Sequence, residues 1–509
     1  MESHKDKRLI VVSNRLPISV TREDGALTLK QGAGGLVTAM APVLRDRGGL
    51  WIGWPGAVEK GMARLCREFS KEAGYLLGPV ELDGADVAGF YQGFSNEIIW
   101  PLFHEFLMPC NFLPSYWDSF QRANRKFSEI VAKACDADDF IWVHDYHLML
   151  MAAQVKGMGL KLPMGFFLHI PFPPADIFLK LPWRREVVDA LLEFDLLGFQ
   201  TMRDRVNFFE AVKRIYPKAV KRGRGQVVSV SAGGKQTRIG SFPISIDFRS
   251  FVNAASQPES KDHAAGIRKA FHNRYLIFGA DRLDYSKGIP ERLDAFSHLL
   301  NESPELREKV CFVQVMVPSR EDVPMYQEMK NRVEGMVGEI NGRHATPGWT
   351  PVHYTYRNLP REELVSYYQA ADMTVVSSLR DGMNLVAKEY VACNVQEKGV
   401  LCLSEFAGAA MEFHRHALMV NPFDAQGMAR AMRSAMESSV QERRRNMRAM
   451  RDIVRRFDIF HWVDSFLMAA FSKRLGDFPT RQGDFYLTQM EKMGPPWDDA
   501  PCDGTPPAP

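Results

Sequence analysis

No Cys-x-x-Cys pair occurs in the chain, and its seven cysteines are scattered without a spacing pattern. An odd, unpatterned set excludes a disulfide scaffold and a zinc ribbon, and points to a reducing compartment with buried thiols. No run of about 18 apolar residues is present, so no membrane span is expected. The charged start "MESHKDKRLIVVSN" leads into an apolar run too short for a secretory signal, which makes the cytoplasm the expected compartment. Charge of one sign is lacking too. A formal net charge of +3 over 509 residues gives no global field to draw the protein to nucleic acid or lipid. Anionic ligands must then be held by local cations. Also missing are GxGxxG, the phosphate loop GxxxxGK[ST], GxSxG and HExxH, and no short repeat is visible.

What is present is an alternation. Apolar residues at 46% and charged residues at 25% are ordinary for a soluble globular chain, and the length calls for two or three domains. "LIVVSN", "DFIWVHD", "MGFFLHIPF" and "DLLGFQT" read as strands in the first half. "RYLIFGADR", "KVCFVQVMVP", "DMTVVSSLRD" and "GVLCLSE" do so in the second. Each precedes a helix-period segment, so the expected class is α/β, with two doubly wound domains facing a cleft. Boundaries are expected at 1–250, 251–457, a helix over 458–475 packing back on the first domain, and a Pro-rich disordered tail over 476–509. "NAASQPESKDHA" reads as a polar linker between the domains. The arginines of "VQERRRNMRAMRDIVRRF" read as a solvated helix face, since no aromatics interleave as a nucleic-acid site would need.

Ligands of such folds bind at the carboxyl ends of the strands, where the polar clusters of this chain fall. In "SSLRDGMNLVAKEY", Gly382 frees the backbone to turn, and the N–H groups of Met383, Asn384 and Leu385 open a helix suited to an anion or hydroxyl. Asp381 can accept from sugar hydroxyls, and Glu389 from vicinal ribose hydroxyls. In "FGADRLDYSKGIPERL", Arg282 and Lys287 suit a diphosphate leaving group, or else a surface pair bonded to Asp281, Asp284 or Glu291. Arg15 follows the first strand, and Gly34 and Gly35 precede a helix where backbone could approach a phosphate. His169 stands at a strand end as a hydroxyl-binding candidate, and Arg320 at another as a phosphate clamp. "WVHDYHLML" offers His144, Asp145 and His147, but its spacing matches no metal set, so neither metal nor cofactor is expected.

Taken in order, "VVSNRLP", "WIGWPG", "FYQGFSNEIIWPLFH", "WVHDYHL", "FFLHIPFP", "LLGFQT", "RLDYSKGIPER", "LRDGMNLVAKEYVA" and "GVLCLSEFAGAA" resemble the trehalose-6-phosphate synthase family over about residues 8–472. The resemblance implies a retaining glycosyltransferase of the two-domain GT-B architecture, moving glucose from UDP-glucose to glucose 6-phosphate without a metal. It implies that Arg282 and Lys287 hold the donor diphosphate with backbone support at Gly35, and that Glu389 binds the ribose. His169, Asp381 and the N–H groups of Met383, Asn384 and Leu385 would hold the donor glucose. Arg15, Tyr91, Trp100 and Arg320 would form the acceptor's phosphate-side pocket, and Asp145 would bind acceptor hydroxyls. A front-face mechanism is implied, in which the departing phosphate takes the acceptor proton. No DxDx[TV] segment is present, so a separate trehalose-phosphate phosphatase is the expected pathway partner, and a homo-oligomer is compatible. A sister enzyme such as glucosylglycerol-phosphate synthase would share the donor half and differ in the acceptor half. A non-catalytic sugar-phosphate sensor would be expected to have lost the donor cations, which "RLDYSK" retains.

Overall fold

In the computed structural model, which describes residues 8–23, 26–32, 35–57, 62–108, 110–320 and 324–472, the first apolar run becomes β1 (Leu9–Arg15). It is buried at every position except Arg15, as a strand covered on both faces must be. The following strands are β2 (Ile18–Glu23), β3 (Ala26–Gln31), β4 (Leu50–Trp54), β5 (Leu76–Pro79), β6 (Phe140–His144), β7 (Met164–Phe167) and β8 (Leu196–Phe199). After these come β9 (Val220–Arg222), β10 (Val227–Ala232) and β11 (Lys235–Ser241). A nine-stranded sheet takes the order β5-β4-β1-β6-β7-β8-β11-β10-β9, and β2 and β3 form a separate hairpin.

The second sheet holds β12 (Tyr275–Arg282), β13 (Val310–Val317), β14 (Val352–Tyr356), β15 (Met373–Val376), β16 (Val400–Ser404) and β17 (Leu418–Val420). Its order is β14-β13-β12-β15-β16-β17, parallel throughout. Both sheets start in the middle, add strands to one side, and then cross over to build the other. The order therefore reverses between β1 and β6 in one sheet and between β12 and β15 in the other. Those switch points open the crevices in which such sheets bind ligands. Alternation in the sequence anticipates the parallel strands. It misses the β2–β3 hairpin and the antiparallel β9 and β10, where β2, β9 and β10 are each followed by a strand and not by a helix.

"NAASQPESKDHA" is not a linker. It lies across two helices, Phe248–Ser256 and Pro258–Ala270, joined at Gln257. Pro258 sits at the first helical position, where its missing N–H costs nothing. The arginine-rich stretch is the helix Val440–Arg456, which buries Met447, Met450 and Val454. Not all its arginines are solvated: Arg451 donates to the Val391 carbonyl at 3.1 Å and also to that of Ala392, at the end of a neighbouring helix. The helix Ile459–Phe471 lies on the first sheet, with Phe466 stacked on Trp142 at 4.2 Å between ring centroids. Arg238 donates to the carbonyls of Ala469, Ala470 and Ser472 at its C-terminal end. The tail over 476–509 lies outside the described residues. No described helix is long and apolar enough to cross a membrane.

Candidate active site

A cavity of about 490 Å³ opens at the carboxyl ends of both sheets. It draws Arg15 from β1, Asp145 from the end of β6, His169 beyond β7, Arg282 from β12 and Arg320 beyond β13, with Tyr91 and Trp100 from one helical segment. Three non-glycine residues here are left-handed: Asp145 at φ 74°, Arg320 at φ 50° and Asn384 at φ 84°. Each such residue costs on the order of 1–3 kcal/mol, so the chain holds these side chains in place against backbone preference.

Tyr91 and Trp100 reach one wall because of an unusual helix. Residues nine apart on an α-helix are two and a half turns apart and face opposite ways. Here Val87–Ile99 is a π-helix of 13 residues, and the Trp100 N–H donates to the Ser95 carbonyl. Its wider i→i+5 turn, roughly four and a half residues, brings Tyr91 and Trp100 back to the same side. Tyr91 stacks on His147 at 5.9 Å, and Arg320 lies over the Trp100 ring at 4.3 Å. Arg320 also donates to the Tyr326 hydroxyl and pairs with Asp284 at 3.5 Å. From the end of β1, Arg15 lies over Trp54 at 4.7 Å. Two guanidiniums thus face a single cavity, each steadied by an aromatic face.

Asp145 lines the same cavity. Burial raises its carboxyl to about 7, although N–H groups of Tyr146 and His169 and the more distant Arg282 and Arg320 pull the other way. His169 donates its backbone N–H to Asp145 Oδ1 at 3.2 Å, and its ring Nε2 meets His144 Nδ1 at 3.1 Å. Burial lowers His169 and His147 to about 3, so both rings are neutral near pH 7. His144 is spent on His169, and His147 is stacked between Tyr91 and Tyr146. Among the described residues no group of three or more His, Cys, Asp or Glu side chains is placed to hold a metal ion.

The second sheet's contribution is an ion-pair network. Lys287 Nζ meets Asp381 Oδ2 at 2.6 Å, and the same oxygen accepts from Ser378 at 3.1 Å and Asn384 at 3.2 Å. Burial alone would raise the Asp381 carboxyl, but Lys287 and Asn384 hold it below its ordinary value. Lys287 is therefore paired with Asp381 and not with the acids near it in sequence. Arg282 is exposed and makes no ion pair or hydrogen bond among the described residues. Asn384 caps the helix Leu385–Cys393 by accepting from the Ala387 N–H, which leaves the N–H groups of Met383, Asn384 and Leu385 unbonded by described residues. A Cβ on Gly382 would collide with the His169 carbonyl oxygen of the other half, so this turn sets how closely the two halves meet.

Arg15, Tyr91, Trp100, Asp145, His169, Arg282 and Arg320 thus share one cavity, while Lys287, Asp381 and Asn384 form the adjoining network. Glu389 stands apart: its carboxyl accepts from the Tyr368 hydroxyl at 2.9 Å, and burial raises it. Gly35 starts the helix Gly35–Arg47, whose Leu36 and Val37 line the cavity, while Gly34 lies outside the described residues. Three supporting residues were given no role in the sequence reading. Fully buried Arg292 ties Asp281 (2.5 Å), Ser377 Oγ (2.8 Å) and the Lys287 carbonyl (2.9 Å) together. Arg380 pairs across the interface with Glu105 at 3.0 Å. His104, whose Nδ1–H donates to the Trp100 carbonyl at 2.7 Å, is lowered to about 4 by burial despite the fields of Asp284 and Asp381. Only the His of "WPLFH" hinted at the last; Arg380 stood out in "SSLRDG" as a polar group expected to be exposed but is buried, and nothing local marked Arg292.

The family model for glycosyltransferase family 20 matches residues 7–471. The chain is 42% identical to a trehalose-6-phosphate synthase of Mycobacterium marinum, covering 93% of this chain and 95% of that one. It is 40% identical to that of Mycobacterium tuberculosis, over 95% and 97% of the two chains. Among solved structures, an α,α-trehalose-phosphate synthase (UDP-forming) from Burkholderia xenovorans in complex with glucose-6-phosphate aligns at a TM-score of 0.82 with 36% identity, covering 91% of this chain and 100% of that chain. An E. coli structure bound with UDP-2-fluoro glucose aligns at 0.82 with 35% identity, over 91% and 99%.

Proposed function

The chain belongs to glycosyltransferase family 20, and on that premise we propose how its cleft divides the work of a retaining glucosyl transfer. The reaction moves glucose from UDP-glucose to the anomeric hydroxyl of glucose 6-phosphate and yields α,α-trehalose 6-phosphate and UDP. The fold is GT-B. In our reading residues 1–250 carry the acceptor and residues 251–457 the donor, with Arg320 and His169 each reaching across to the other substrate and residues 458–475 returning to the first unit.

Arg15 and Arg320 flank the acceptor phosphate, Tyr91 and Trp100 shape its pocket, and Asp145 takes acceptor hydroxyls. Arg282 and Lys287 face the donor diphosphate. Asp381, with Oδ2 committed to Lys287, offers Oδ1 to the donor glucose, beside neutral His169 and the N–H groups of Met383 to Leu385. Glu389 would have to exchange its bond to Tyr368 for the ribose hydroxyls. The step breaks the bond between donor C1 and phosphate oxygen as the acceptor oxygen bonds to C1 from the same face. The acceptor proton passes to the departing phosphate, whose charge Arg282 and Lys287 offset. Catalysis rests on placement and fixed charge. The unpaired cysteines among the described residues fit a reducing, cytoplasmic setting.

One observation carries this division. Two aromatic-backed guanidiniums, Arg15 from the first sheet and Arg320 from the second, share one cavity with the buried carboxyl of Asp145, and exposed Arg282 at the end of β12 opens on the same space. A UDP-release assay with UDP-glucose tests it, comparing glucose 6-phosphate with glycerol 3-phosphate as acceptors. Turnover with the sugar phosphate alone is expected, and preference for glycerol 3-phosphate would overturn the acceptor assignment.

A further inference from the structure

Lys287 and Arg320 reach the cleft from different loops of the second sheet, and one carboxylate stands behind both. Asp284 follows β12 and is only 2% exposed. The sequence offered it as a surface partner of Arg282 or Lys287. The structure commits its two oxygens otherwise. Oδ1 accepts from the Ser286 N–H at 2.9 Å and from the Ser286 hydroxyl at 2.8 Å. The Asp284 carbonyl accepts from the Lys287 N–H at 3.1 Å, so one residue makes three bonds to the turn Tyr285–Lys287. That turn runs into Gly288, left-handed at φ 61°, where a Cβ would overlap the Ser377 carbonyl oxygen.

Oδ2 turns the other way. It lies 3.5 Å from Arg320 Nη1, and the buried Tyr326 hydroxyl links the two, accepting from Arg320 and donating to Oδ2 at 3.5 Å. Arg320 is left-handed at φ 50° and lies over Trp100, so a counter-charge and a hydroxyl complete its hold. Burial works against a charge on Asp284, yet Arg320, Lys287 and His104 keep its carboxyl below the ordinary value, and it is an anion near neutral pH. Asp284 itself does not line the cavity, so it acts only through the side chains it holds.

We propose that Asp284 is a positioning residue shared by the two substrate sites, with Oδ1 fixing the turn that carries Lys287 and Oδ2 orienting Arg320. This rests on the reading in which Lys287 faces the donor diphosphate and Arg320 the acceptor phosphate. One side chain then sets the spacing between a donor-side and an acceptor-side cation. A front-face transfer between two phosphorylated ligands needs that spacing held, because small displacements of the reacting groups are costly.

Steady-state kinetics of variants of the full chain, with each substrate varied in turn, test this. Asp284→Asn keeps an acceptor for Ser286 and removes the charge that faces Arg320. It should raise KM for glucose 6-phosphate by roughly 10-fold and spare KM for UDP-glucose. Tyr326→Phe keeps both charges and should raise the same constant by a smaller factor. Ser286→Ala loosens the other oxygen's hold and should lower kcat several-fold without moving KM for glucose 6-phosphate. Asp284→Asn added to Arg320→Ala should raise that KM little further, because both act on one contact. An Asp284→Asn that shifts both KM values alike, or adds its full effect to Arg320→Ala, would mark a merely structural acid and overturn the proposal. So would a Ser286→Ala with unaltered kcat. If Asp284→Asn fails to fold by far-UV circular dichroism, Tyr326→Phe and Ser286→Ala must still show the split, and its absence overturns the proposal. If Arg320→Ala leaves KM for glucose 6-phosphate unchanged, the cleft reading fails, while the proposal still requires Asp284→Asn to move whichever constant Arg320→Ala moves.

Discussion

Lys287 and Asp381 stand 94 residues apart in sequence yet form a close ion pair at the cleft, with side chains 11% and 12% exposed. The pair fixes the position of the lysine that the proposed reading sets against the donor diphosphate. Lys287→Ala or Arg282→Ala should lower kcat by roughly 10²-fold or more, as expected when a transition-state charge donor is lost. Steady-state turnover checks this, and near-normal kcat in either variant would remove the diphosphate assignment. Asp145 gives a pH prediction. Its ordinary value of 3.8 rises to about 7 in the fold, so between these values the folded state holds a proton that the unfolded state has lost. Its contribution to stability is complete below pH 3.8 and is lost as pH rises through 7. Asp145→Asn should therefore raise Tm at pH 8 relative to the unmodified chain and leave it nearly unchanged at pH 4. A gain independent of pH would contradict the burial of this carboxyl. Residues such as Arg15, Arg282 and Arg320 were legible in the sequence because each ends an apolar run. Partnerships were not: neither the Lys287–Asp381 pair nor the buried Arg292 has a local signature.

Among the elements, the π-helix Val87–Ile99 and the turn at Gly382 do most to shape the cleft. The first was hidden because its composition suits an α-helix equally well, and only the common wall reached by Tyr91 and Trp100 betrays the wider turn. Gly382 could be read as a turn residue. Its close approach to the His169 carbonyl could not, since that partner lies on the other half of the chain. Gly382→Ala should push the halves apart and lower turnover by roughly 10²-fold, in line with the cost of misplacing reacting groups, with far-UV circular dichroism unchanged. Unaltered turnover would show that the contact is not needed. Fully buried Lys388 pairs with Glu412 and donates to the Ile244 carbonyl at 2.9 Å, in the segment that joins the two sheets. Lys388→Met leaves that carboxylate alone in the interior and should cost about 3–5 kcal/mol in denaturant unfolding, with Glu412→Gln added to it recovering part of the loss. The expected linker failed for a related reason. Polar residues at 253–264 signal exposure, and two surface helices satisfy that as well as a loop does.

At the scale of the whole molecule, two sheets wound in the same order turn their carboxyl ends to a shared cavity, where the proposed reading sets the reaction. Alternating strands and helices made that architecture legible. The hairpin and the antiparallel edge, which have no such rhythm, were not. The division of labour across the cleft is the account's central claim, and the kinetics of Arg320→Ala against each substrate in turn test it most directly. A charge-assisted bond to a phosphate contributes about 1.5–3 kcal/mol, so KM for glucose 6-phosphate should rise by roughly 10- to 100-fold while KM for UDP-glucose stays near its original value. A rise in KM for UDP-glucose with glucose 6-phosphate unaffected would contradict it.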